Sequence, residues 1–126
     1  MNTDPKKETV AILGASNKPD RYAYKALVSL IEAGHTVIPI TPTVEEINGI
    51  KCLKQINDIS ATVDTVTLYV RPEISSTMTD AFIKLKPKRV IFNPGTENSA
   101  LAEVLTASGI NVIEACTLVM LRTKQF

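Results

Sequence analysis

Tryptophan is absent, histidine occurs once, cysteine twice and glycine five times in these 126 residues. With His35 alone and with Cys52 and Cys116 far apart, no metal-spaced pair exists, and zinc would need unusual ligands. The cysteines read as reduced, partly buried thiols of a cytoplasmic chain rather than as a disulfide. Excess charge is also missing: 14 Lys and Arg face 13 Asp and Glu, a formal net charge of +1. That balance argues against a broad basic surface for nucleic acid but leaves room for a local cluster on one phosphate-rich ligand. Long apolar runs are lacking. The segments VIPI at 37–40 and LVML at 118–121 are far below the length that crosses a bilayer. Residues 1–8 are polar, without the apolar stretch of a signal peptide, and read as a short frayed tail ahead of one domain over 9–126. No Ser-His-Asp set, paired-carboxylate motif or metal cluster is visible, so no catalytic residue is assigned.

What the sequence does have is alternation. TVAIL at Thr9–Leu13 is a short apolar run ending at Gly14, the pattern of a buried parallel strand. A helix is expected over 21–33, with Ala23, Ala26, Leu27, Leu30 and Ile31 in one stripe and Gly34 as its cap. TVIPI at Thr36–Ile40 is the second strand, with irregular pairing expected near Pro39. Residues 43–60 are the least regular: a helical turn around Glu45-Glu46-Ile47, a turn at Asn48-Gly49, a third strand over 51–53 and a helical turn before Asp58. A strand over 65–70, a helix over 74–85, a strand over 89–92, a helix over 97–107 and a strand over 110–113 complete the chain. Strands separated by helices pair in parallel. The expected fold is α/β: a doubly wound, mostly parallel Rossmann-like sheet in a single domain.

Such sheets bind ligands at the carboxyl ends of their strands, which nominates the loops at 14–22, 41–43, 70–73 and 93–97. The first loop carries the chemistry of a phosphate-binding loop. Gly14 allows a sharp turn and a close approach, the helix start offers free N–H groups and a positive dipole end, Ser16 brings a hydroxyl, and Lys18 and Arg21 bring charge. The dinucleotide fingerprint asks for three glycines here and an acid at the end of the second strand. This chain has one glycine and ends that strand with Ile40-Thr41-Pro42, so NAD is disfavoured. No P-loop sequence follows either. His35 lies between a helix end and a strand start, at the opposite edge of the sheet, and reads as a surface turn residue. Arg71 stands at the ligand edge, able to fork onto a phosphate or to pair with Glu73. Cys116 follows the last strand and reads as buried and inert. Lys84, Lys86, Lys88 and Arg89 read as a solvated face. Leu118 to Leu121 closes the core or forms a dimer seam.

The blocks VAILGAS at 10–16, Tyr22-Ala23-Tyr24, Pro39-Ile40-Thr41-Pro42, Asp58-Ile59 and Val63-Asp64 resemble the small stand-alone CoA-binding proteins. Those proteins share a fold with the CoA-binding domain of succinyl-CoA synthetase. The resemblance implies that Gly14, Ala15, Ser16 and Lys18 face the ligand's phosphates, with Arg21 and Tyr22 beside them. It implies that Thr41, Pro42, Val70, Arg71 and Pro72 flank the nucleotide, with Asn93 and Gly95 on the far side. The sequence departs from the family at Thr41, where Asn is usual, at Asn93-Pro94-Gly95, where a Gln-x-Gly pattern is frequent, and after Cys116. The implied ligand is coenzyme A or an acyl-CoA. The chain is then a binding module, in solution alone, as a homodimer or beside a partner enzyme. Two other readings stand: a subunit or relic of an acyl-CoA ligase, and a Rossmann domain for another nucleotide.

Overall fold

The computed structural model describes residues 7–126. Five parallel strands form the sheet in the order β2-β1-β5-β6-β7: β1 (Thr9–Leu13), β2 (Thr36–Ile40), β5 (Thr65–Leu68), β6 (Arg89–Phe92) and β7 (Asn111–Glu114). Helices α1 (Tyr22–Glu32) and α5 (Thr117–Arg122) contact each other, as do α3 (Thr79–Leu85) and α4 (Ser99–Ala107). The alternation of side chains along each strand splits the core in two. Val10 and Ile12 of β1 pack with Ala23, Leu27 and Leu30 of α1. Ala11 and Leu13 pack with Val66, Leu68, Phe82, Leu101 and Leu105. This is the doubly wound α/β arrangement. The central strands are buried on both faces, which is why β1 reads as an apolar run after Thr9; β5 also buries Thr65 and Thr67, whose hydroxyls are hydrogen-bonded. No helix of the described residues is long and apolar enough to cross a membrane.

The structure departs from the sequence expectations in several places. Glu45-Glu46-Ile47 is no helical turn: β3 (Glu46–Ile47) and β4 (Ile50–Lys51) pair antiparallel. Asn48 and Gly49 at φ 51° and 82° supply the doubly left-handed turn that a tight hairpin wants. Pro39 does not disturb the pairing, because Ile12↔Pro39 is in register with its neighbours. β2 is an edge strand, and the Pro39 carbonyl faces outward to accept the Leu53 N–H at 2.9 Å, so the missing donor lies on that edge. The helix expected over 74–85 is divided into α2 (Pro72–Ser75), a 3₁₀ turn at Ser76–Met78 and α3. Ser75 and Thr77 hydroxyls donate back to the carbonyls of Pro72 and Ile74, competing with the helical ladder. The segment after Cys116, for which the sequence predicts no element, forms α5, and its Leu121 packs on the α1 side of the core. Finally, Glu8, expected in the tail, is bound into the amino edge of the sheet; residues 1–6 of that expected tail lie outside the described residues.

At that amino edge, Arg89 Nη2 pairs with Glu8 Oε2 at 3.3 Å and Lys88 Nζ with Asp64 Oδ1 at 3.1 Å. The Thr65 hydroxyl donates to Glu8 Oε1 and accepts from Arg89 Nε, while Asp64 Oδ2 accepts the Thr9 N–H. Arg89 lies over the Phe126 ring, 4.5 Å from its centroid. Arg89 is therefore a largely enclosed, paired group rather than part of a solvated face, whereas Lys84, Lys86 and Lys88 are exposed as expected, Lys88 with its ion pair to Asp64. His35 is at this edge as expected, but it is largely buried rather than a surface residue. Its ring meets Phe126 at 5.1 Å, and its Nδ1 accepts the Glu8 N–H.

Candidate functional site

Strand order reverses between β1 and β5: β1 leads outward to β2, and β5 leads the other way to β6 and β7. The loops after β1 and β5 therefore diverge and leave a crevice between them. A cleft of about 400 Å³ opens there. The structure brings Gly14, Ala15, Ser16, Lys18, Arg21 and Tyr22 together around it, joined by Asn17, Ala23, Thr43, Val44 and Tyr69.

The role of Gly14 differs from the expectation. Its φ is +89°, and a Cβ there would meet Val70 Cγ1 at 2.8 Å and the Tyr69 carbonyl at 3.0 Å. The space that a side chain would fill belongs to the end of β5, not to a ligand. Gly14 and Ala15 also donate both N–H groups to the Ile40 carbonyl at 3.0 and 3.1 Å, so their backbone pins β1 to β2. The groups suited to an anion lie one step later. Helix α1 begins at Tyr22 with no side-chain cap and no acidic residue in its first turn. Its leading N–H groups and positive dipole end are thus left for solvent or ligand. Helix α4 is the contrast, because Asn98 Oδ1 accepts the Leu101 N–H and caps it. Ser16 Oγ accepts the Lys18 N–H at 3.1 Å, which closes the turn and fixes where Lys18 leaves it. Lys18 and Arg21 are exposed and carry no ion pair among the described residues.

The remaining expected residues disperse. Thr41 is buried; its N–H donates to the Leu53 carbonyl at 2.8 Å, and its hydroxyl lies 3.1 Å from that of Thr43. Pro42 lines a neighbouring cleft of about 680 Å³, which shares Thr43 and Val44 with the first. Val70 packs toward Gly14. Arg71 is exposed at the start of α2, where Pro72 takes the first helical position and its carbonyl accepts from Ser75 and Asn98. Neither Arg71, Pro72 nor Gly95 lines the first cleft. Arg71 makes no ion pair with Glu73.

Asn93 is 2% exposed, and its amide is committed: Nδ2 donates to Thr67 Oγ1 and the Leu68 carbonyl at 2.7 and 2.8 Å, and Oδ1 accepts the Thr117 N–H at 2.8 Å. It ties β5, β6 and α5 together, so its side chain acts as a brace. Gly95, at φ +90°, gives its N–H to Glu97.

Tyr69 was missed by sequence reasoning. It lines the first cleft and also a second one of about 350 Å³ toward β6 and β7. Burial pushes its phenol up to about 12, against the opposing effect of hydrogen bonds with Thr67 and Thr117. The signal available was its place directly after a buried strand at the ligand edge. Cys52 is buried, and burial raises its thiol pKa. Cys116 is half-buried, and instead of being sealed in the core it lines the second cleft. No group of three or more His, Cys, Asp or Glu among the described residues is placed to hold a metal ion.

Comparison with known proteins gives consistent results. A model of the CoA binding domain matches residues 8–122. The solved structure of an uncharacterized protein superimposes with a TM-score of 0.92 at 42% identity, covering 97% of this chain and all of the other. Protein YneT of Bacillus subtilis is 25% identical over 108 residues, which is 86% of this chain and 80% of that protein. An ADP-forming acetate–CoA ligase of Methanocaldococcus jannaschii is 33% identical over 63 residues, half of this chain and 9% of the ligase.

Proposed function

Because the chain belongs to the CoA-binding domain family, we propose that it holds coenzyme A or an acyl-CoA at the carboxyl edge of its sheet, as a binding module without chemistry of its own. The observation that carries this reading is the start of α1: an uncapped, acid-free helix end opening on a cleft and flanked by two cations that have no ion pair among the described residues. A diphosphate has the charge and oxygen count to use all of these groups at once. In this reading Ser16, Lys18, Arg21 and Tyr22 attend the phosphates, and Gly14 and Ala15 hold the turn in shape. Thr41, Pro42, Val70, Arg71 and Pro72 border the nucleotide, and Asn93 and Gly95 shape the far side. The chain works in the cytoplasm, alone, as a homodimer or beside a partner enzyme.

Calorimetric titration with CoA, dephospho-CoA and NAD tests this. CoA is expected to bind more tightly than NAD, and equal or tighter NAD binding contradicts the reading. A second reading, a CoA-carrying subunit whose partner handles nucleotide, is favoured by the similarity to an ADP-forming acetate–CoA ligase over half the chain. Turnover assays with acyl-CoA, acid and nucleotide separate the two. Activity of the purified chain alone removes the binding module, and activity only with an added partner favours the subunit.

A further inference from the structure

Apart from Tyr22 and Asn93, the residues of the second cleft at the carboxyl edge are unused by the contacts proposed for the nucleotide. Tyr22, Tyr69, Pro94, Cys116, Leu118 and Val119 line it, and its walls hold no carboxylate. Arg122 is the one charged residue there. The buried Asn93 amide has both its donors engaged elsewhere, so the inner wall offers a ligand little to hydrogen-bond. Tyr22 and Tyr69 line both this cleft and the one at the first loop, so the two clefts adjoin at these side chains.

The reach of the ligand fits the adjoining clefts. From β1 the sheet runs through β5 and β6 to β7; at ~4.8 Å between strands, β7 ends about 14 Å from β1. The pantetheine arm of CoA has the backbone length of about four extended residues, roughly 13 Å. A diphosphate at the start of α1 therefore lets the sulfur arrive over β6 and β7. What meets it there is an apolar wall suited to hydrocarbon.

We propose that this cleft seats the acyl group of an acyl-CoA, so that the preferred ligand is the thioester of an aliphatic acid rather than free CoA. The proposal rests on CoA occupying the first-loop cleft. Each methylene buried there should tighten binding by about three- to fourfold.

The test is a calorimetric series with CoA, acetyl-CoA, butyryl-CoA and hexanoyl-CoA. Affinity should climb with chain length, and hexanoyl-CoA should bind at least tenfold more tightly than CoA. Val119→Trp, shown to be folded by its melting transition, should bring the hexanoyl-to-CoA ratio toward one by filling the cleft. An independent readout is alkylation of Cys116 by iodoacetamide, located by peptide mass. Saturating hexanoyl-CoA should slow it at least tenfold more than saturating CoA does. Equal affinities across the series, or equal Cys116 alkylation with the two ligands, overturns the inference while CoA binding stands. If none of the four compounds binds, the CoA reading itself falls.

Discussion

The two edges of the sheet are built from opposite chemistry. At the amino edge, both ion pairs of the described residues, Glu8–Arg89 and Asp64–Lys88, knit the starts of β1, β5 and β6 together, and His35 and Phe126 close over them. At the carboxyl edge the cations Lys18, Arg21, Arg71 and Arg122 have no ion pair among the described residues, and α1 starts uncapped. Polar groups are satisfied among themselves at one edge, and at the other, charge is left without an ion pair among the described residues. Substitutions at the amino edge should therefore alter stability and spare binding. Those on Lys18 and Arg21 should do the reverse.

The largest expected effect comes from the one residue where the two properties meet. Gly14→Val forces a β-branched side chain to φ +89° with its Cβ within 3.0 Å of Tyr69 and Val70. Left-handed strain and overpacking together should cost about 2–5 kcal/mol of stability, read by urea denaturation, and CoA binding should vanish with the loop. A variant of unchanged stability would show that the β5 end yields easily and that Gly14 serves only the ligand.

Arg89→Ala is next. It strips the partner from Glu8 in a pair whose side chains are 15% and 19% exposed, between the surface and buried limits, for an expected loss of about 2 kcal/mol. CoA affinity should not change. Lys18→Ala and Arg21→Ala invert that pattern. Melting should be unaltered while each weakens CoA binding by about 1–2 kcal/mol, about five- to thirtyfold. Added salt should shrink the difference between variant and wild type. A residue that matters for CoA but not for dephospho-CoA faces the 3′-phosphate, and one that matters for both faces the diphosphate.

The smallest effect is titration of His35. Burial lowers its pKa below the ordinary 6.5, with Lys7 and Arg89 adding to the lowering and Glu8 opposing it. Protonation also removes the Nδ1 acceptor of the Glu8 N–H. Its contribution to stability should be complete above pH 6.5 and fade as pH falls from there through the folded-state pKa, because the unfolded chain takes up the proton first. His35→Ala should remove that component from the pH profile and leave CoA affinity within tenfold of wild type.

Much of this contrast was legible in the chain, but unevenly. The strand β1 announces itself because burial on both faces leaves Val10 to Leu13 an unbroken apolar run, and the first loop announces itself by following such a strand; β5 is legible from its β-branched residues, although Thr65 and Thr67 are polar and buried within it. The β3–β4 hairpin did not, since each arm is two residues long and its apolar partners Ile47 and Ile50 suit a helical turn equally well. Helix α5 escaped for the same reason: six residues are too few to display a period. The amino-edge network was out of reach in principle. Glu8 and Arg89 are separated by 81 positions, and no local pattern foretells that the sheet will bring them to 3.3 Å. Gly14 was recognised as special, but the competing reason, the closeness of Val70, is a tertiary fact.

Backbone hydrogen exchange with and without CoA examines both edges in one experiment. The account predicts that CoA slows exchange at residues 16–24 and 41–44 and leaves residues 35–37, 64–65 and 88–89 at their unliganded rates. Protection centred on the amino edge, or CoA binding with no protection at the start of α1, would contradict it.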